Sequence, residues 1–301
     1  MSIRRAQDER IEGTPDGVNA ITEIMDVPDA PTVGSPSDVG TSRAYNNAAA
    51  SVSVTAGTTG GTPTSYTVTS SPGGLTGSGT SPVTVTGLNS QTSYTFTATG
   101  TNTTGTSPAS AASGSVIVTT VPDAPTSASA TDQGSSRPYN NGQASVSFTA
   151  PASGGKTISS YTVTSTPGSL TGTGSSSPIT VTGLSSATSY TYAVTATNAN
   201  GTGSASSASG SVTATTVPQA PTIGTFTDGG TGTSGSLSFT LNATGGSSVT
   251  GIKYSTDGTN YTLASGTTSP ISITGLSATT YTFYVKAVNA NGDSEIGRAH
   301  V

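Results

Sequence analysis

One unit written three times accounts for most of this chain. VPDAPT begins at Val27 and again at Val121, and VPQAPT begins at Val217, so the unit returns after 94 and then 96 residues. A second marker keeps the interval: VTVTGLNSQTSYTFTATGTN around Gly87, ITVTGLSSATSYTYAVTATN around Gly183 and ISITGLSATTYTFYVKAVN around Gly275. Solenoid units run to roughly 20–50 residues and must stack on their neighbours to bury an apolar face. A unit near 95 residues is long enough to close a core of its own. The expected organisation is three domains in series, residues 27–120, 121–216 and 217–294, behind an unrelated head of residues 1–26.

Only 8% of the residues are charged, and Gly, Ser, Thr and Ala dominate. Such a composition commonly marks a chain too poor in apolar groups to fold. The placement of the apolar residues argues otherwise. Tyr190, Tyr192, Val194 and Ala196 alternate with Thr191, Ala193, Thr195 and Thr197, which is the period of a half-buried strand. Tyr94, Phe96 and Ala98 repeat the pattern in the first copy, and Tyr281, Phe283, Val285 and Ala287 in the third. Shorter runs behave alike, among them Val146/Phe148, Tyr161/Val163 and Ile179/Val181. Gly60-Gly61, Pro72-Gly73, Pro167-Gly168 and Asp257-Gly258 punctuate them with turn residues. Short strands between frequent turns predict an all-β antiparallel sandwich in each copy.

A tyrosine follows Leu88 and Leu184 by six residues and Leu276 by five. Tyr94, Tyr190 and Tyr281 thus stand where a tyrosine corner ties the two sheets together. With the proline-led opening APT and the segment GLSSATSYTYAVTATNANG, the copies resemble the fibronectin type III family across residues 27–294. The resemblance implies three tandem fibronectin type III-like, immunoglobulin-like sandwiches. That family usually carries a tryptophan on its second strand, and this chain has none. Val54, Phe148 and Phe239 stand there, and the smaller Val54 predicts that domain 1 is the more loosely packed of the first two. The resemblance further implies a non-enzymatic structural or adhesive protein, of the kind displayed on phage virions or extracellular surfaces. The other readings are a secreted bacterial adhesin or carbohydrate-binding accessory module with an upstream export signal, and a spacer from a larger hydrolase.

Chemistry-bearing residues are sparse. The formal net charge is −5 with no basic cluster, which removes the phosphate-neutralising attraction that nucleic-acid binding needs. There is no cysteine, hence neither disulfides nor thiolate metal sites. No cofactor, metal site or catalytic residue is expected. His300, the single histidine, lies beyond the repeat pattern. Asp38, Asp132 and Asp228 recur one per copy. A lone carboxylate falls far short of the six to eight oxygens of a calcium site, so strand-end capping is expected of them. GTSRAYNN at residues 40–47 and GSSRPYNN at residues 134–141 recur in copies one and two, whereas copy three reads GGTGTSG. Arg43, Tyr45, Asn46, Arg137, Tyr139 and Asn140 could form ligand-contact loops, since Arg, Tyr and Asn combine flat contact area with hydrogen bonding and suit sugar rings. Alternatively the tyrosines fold onto the sandwich end and the Asn pairs simply make the turn.

The head carries mixed charge and a short apolar stripe of Val18, Ile21, Ile24 and Met25. It is expected either to anchor the chain to virion or surface proteins or to be an unstructured leader. No apolar segment follows its basic residues, and no run of 18 apolar residues occurs, so if Met1 is the true start neither export by a signal peptide nor membrane insertion is expected. At the other end EIGRAHV, residues 295–301, resembles the translation of a synthetic sequencing adapter. Copy three is therefore expected to lack its last strand and to leave an unpaired edge.

Overall fold

Strict alternation leaves one apolar face per strand, and two such faces closing on each other make a sandwich. In the computed structural model, which describes residues 26–230, 232–277 and 279–300, each copy does this with two main antiparallel sheets, and domain 1 adds a two-stranded pair of Thr32–Val33 with Val54–Thr55. Domain 2 shows the pattern most fully. Thr126–Asp132, Gly142–Thr149 and Ile179–Leu184 form one sheet in that order. Thr171–Gly174, Ile158–Thr166 and Ser189–Asn198 form the other, with Val212–Thr213 against the far edge of the last. Domain 1 repeats it with Ser37–Asp38, Ala48–Val52 and Val83–Leu88 facing Thr76–Gly79, Ser65–Ser71, Ser93–Thr101 and Val116–Ile117. Domain 3 uses Thr222–Asp228, Ser234–Thr240 and Ile271–Thr274 against Thr262–Leu263, Gly251–Ser255 and Thr282–Asn289. The fold is all-β, and the head stripe of Val18, Ile21, Ile24 and Met25 lies outside the described residues.

Register follows burial. Tyr161 pairs with Ala196 and Val163 with Val194, all four side chains pointing inward. A slip by one residue would turn both rows to water. Each of the three apolar cores draws on one repeat only. Val54, Phe148 and Phe239 are buried at matching places, each donating its backbone N–H to a serine hydroxyl, Ser81, Ser177 or Ser269, at 2.8–2.9 Å. The Phe148 ring meets buried Tyr161 at 4.8 Å. In domain 1 the valine offers no such partner, and Tyr66 stays only partly buried.

The tyrosine hydroxyls reach back to the backbone. Tyr94 accepts a hydrogen bond from Asn89 N–H (3.1 Å), Tyr190 from Ser185 N–H (3.0 Å) and Tyr281 from Ser277 N–H (2.8 Å). Each phenol thereby fixes the turn before its own strand.

The closing edge is made in an unexpected way. Ser107, Ser110 and Ser113 recur every third residue along Ser93–Thr101. Their backbone N–H groups donate to Gly100, Ala98 and Phe96 C=O at 2.8 Å. Their hydroxyls accept from the N–H groups of those same residues at 2.9–3.0 Å. Ser206 and Ser209 do likewise with Val194 and Tyr192 in domain 2. Serine side chains thus complete a ladder that a three-residue period could not fill with backbone alone.

Domain 3 corrects the expectation of an open edge. Ser294 makes one rung with Ala287. Gly297–His300 then pairs antiparallel with the strand Thr282–Asn289, setting Gly297 opposite Val285 and His300 opposite Thr282. Backbone groups along an edge bond to any extended segment, so EIGRAHV serves although its letters follow no serine pattern. Gly297 is also apt for steric reasons, since a Cβ there would lie 2.2 Å from Pro221 C=O.

Candidate functional site

The loops at residues 40–47 and 134–141 lie where one domain meets the next. Ser42 and Ser136 have φ of 57° and 58°, a left-handed conformation that turns their N–H groups outward. Ser42 N–H donates to Asn200 C=O of domain 2 (2.8 Å), and Ser136 N–H to Asn291 C=O of domain 3 (2.7 Å). The residue after each serine serves through its carbonyl. Arg43 C=O accepts from Val121 N–H and Arg137 C=O from Val217 N–H, both at 3.0 Å. Gly40 and Gly134 open the loops because nothing larger fits. A Cβ on Gly40 would stand 2.5 Å from Thr119 C=O, and one on Gly134 2.2 Å from the Thr215 hydroxyl.

The receiving domain contributes two turns. The Asn198 amide donates to Thr120 C=O (2.9 Å) and Ser153 C=O (2.8 Å), and the Asn200 amide to the Thr119 hydroxyl (2.7 Å) and Thr120 C=O (3.1 Å). At the second joint the Asn289 amide donates to Thr216 and Thr244 C=O at 2.8 Å, and the Asn291 amide to Thr216 C=O at 3.1 Å. Gly154 and Gly245, at φ of +70° and +75°, accept from Thr120 and Thr216 N–H at 2.8 Å. These asparagines and glycines, which hold the joints, were not marked in the sequence. A signal was present: NANG stands at residues 198–201 and 289–292, whereas the first copy reads NTTG at 102–105.

Asp38 and Asp132 complete the joints. Each carboxylate accepts from the backbone N–H (3.0 and 3.1 Å) and the hydroxyl of Thr119 or Thr215 respectively, clamping the exit of its own domain. Asp228 instead lines an open cleft with Phe226, Leu276, Ser277 and Tyr281. The connecting residues are consequently dry, with Thr119, Thr120 and Val121 at 4%, 0% and 6% exposure and Thr216 and Val217 at 0% and 6%.

The remaining candidate residues divide by side chain. Asn46 accepts a hydrogen bond from the Ser90 hydroxyl (2.9 Å). Asn140 accepts from Ser186 N–H (3.0 Å), while its own N–H donates to the Ser186 hydroxyl (2.9 Å). Both asparagines therefore hold their loops onto their own domains. Arg137 Nε donates to Asn141 C=O within the loop (3.1 Å). Arg43, Tyr45, Arg137 and Tyr139 are half-buried. Among the described residues no three His, Cys, Asp or Glu side chains gather to hold a metal, and none of their helices is long and apolar enough to cross a membrane.

Two side chains have shifted proton affinity. Burial, then the neighbouring Tyr190 and Asp132, pushes the Tyr192 phenol up from 10.0 to about 12. Its hydroxyl is buried with no hydrogen-bond partner among the described residues. Asp257 is held well below the usual carboxylate range by Asn260 N–H, then Thr259 N–H and the side chains of Asn260 and Ser255. It caps its own turn, accepting from the Thr259 and Asn260 N–H groups at 2.8 Å.

A family model for the fibronectin type III domain matches residues 123–212, the middle of the three domains. Among solved structures the chain is similar to the crystal structure of the chicken CNTN1 FN1-FN3 domains, at 18% identity and a TM-score of 0.33, over 91% of this chain and 99% of that one. No curated protein matches.

Proposed function

We propose that this chain is a non-enzymatic structural and adhesive protein whose sandwich domains act as a spacer and whose loops bind surface glycans weakly and in many copies. The observation that carries the reading is the dry connection between domains. Linkers buried at 0–6% exposure with their polar groups bonded suit a part that holds distance, where a free hinge would not. The Arg43, Tyr45, Arg137 and Tyr139 side chains flank these joints, so a sugar gripped there would touch two domains at once. Weak sites gain strength when a particle presents many copies together. The setting proposed is a phage virion or another extracellular surface, with residues 1–26 attaching the chain to virion or surface proteins.

The test is retention of the purified chain on immobilised bacterial surface polysaccharide, compared with the Arg43→Ala, Tyr45→Ala, Arg137→Ala, Tyr139→Ala variant. Loss of at least about tenfold in retention is expected, since aromatic and arginine anchors carry most of the energy at such sites. Equal retention would end the glycan reading. Mass spectrometry of purified particles that lack the chain would end the virion setting.

A further inference from the structure

We infer that the loop GxSRxYNN and the third residue of the turn Asn-x-Asn-Gly form a matched docking pair, which sets how one domain is seated on the next. The inference does not depend on any glycan being bound.

At both joints the contacts are the same in kind. A left-handed serine N–H meets the C=O of Asn200 or Asn291, the following arginine C=O receives the linker valine N–H, and the amide of Asn200 or Asn291 returns to the linker. Both halves stand at each of the two joints in this chain. Domains 1 and 2, each followed by another domain, carry the serine loop. Domain 3 has GGTGTSG in its place. Domains 2 and 3, each preceded by another domain, carry the second asparagine. Domain 1 has Thr104 there, although Asn102 bonds to Asp26 C=O (2.8 Å) just as Asn198 bonds to Thr120 C=O.

The first asparagine of the turn is therefore common to all three copies and closes each domain onto its own entry strand. The second is present at both turns that receive a serine loop, and there its amide reaches the linker. The partner that fits each half is a neighbouring sandwich bearing the other half, and Asn200 and Asn291 are the residues that determine the seating.

The chain has no cysteine, so spin labels can be placed at will, for example through Thr84→Cys in domain 1 and Thr180→Cys in domain 2, both exposed strand positions. Pulsed electron–electron resonance on the full chain should give one narrow distance. Asn200→Ala should broaden that distribution about twofold, because mobility is the default between domains without a specific interface. Thr119→Val removes the acceptor of the Asn200 amide together with the hydroxyl's bond to Asp38, and should broaden the distribution in the same direction while the melting of domain 1 reads the Asp38 bond separately. Unchanged melting curves will show that the domains themselves are intact. A distribution equally narrow in both variants, with melting unchanged, would overturn the inference. So would broadening that appears only together with loss of a melting transition.

Discussion

Tyr192 is the residue at which this chain departs from its own pattern. The matching positions hold Phe96 and Phe283, both fully buried, whereas Tyr192 carries a hydroxyl into the same kind of space without a partner. A buried hydroxyl left unsatisfied costs roughly 1–3 kcal/mol. Tyr192→Phe is accordingly expected to stabilise domain 2 by about 1 kcal/mol in urea unfolding. A loss of stability would show that the hydroxyl is bonded after all. The same residue gives the domain an alkaline limit. Its phenol holds its proton more tightly when folded, at about 12 against 10.0 unfolded. Its contribution is thus whole below pH 10 and is lost as pH rises from 10 towards 12, by about 1.4 kcal/mol per pH unit. Tyr192→Phe should flatten that decline, and an unchanged slope would put the cause elsewhere.

At the scale of the element, the serine ladder is the feature that composition disguised. SPASAASGS and GSASSASGS look like low-complexity linker, and alternation, the period that found the other strands, is absent from them. Their period is three, and each hydroxyl answers a buried or partly buried N–H of the neighbouring strand. Ser110→Ala would leave Ala98 N–H buried without an acceptor. The expected cost is roughly 1–3 kcal/mol to domain 1, read from its urea midpoint. A cost near zero would mean that the segment supports the strand through its backbone alone. The edge of domain 3 gives the converse lesson. EIGRAHV has no strand signature that period-two reading could find, yet four of its residues pair, because an exposed row of backbone donors and acceptors selects for extension more than for side chains.

Across the whole molecule the question is whether the three domains move as one series, and the dry linkers answer through hydrogen bonding. Residues 119–122 and 216–218 are sequestered between domains, so limited digestion with a broad-specificity protease should leave both connections uncut at times when other loops are nicked, since cleavage needs local opening. Early cuts at either linker would contradict a fixed seating. What the letters alone determined was what the repeat interval and two-residue alternation carry. The repeat interval marked three domains, alternation marked the strands and their buried faces, and Tyr94, Tyr190 and Tyr281 stood at the corners, because a two-residue period and a fixed offset are local facts. The tertiary structure alone placed GTSRAYNN and GSSRPYNN at the joints between domains. The joint itself is made by the serine N–H and the arginine C=O. Backbone groups are the same in every residue, so which of them meet across a hundred residues is settled only when two closed domains are brought face to face.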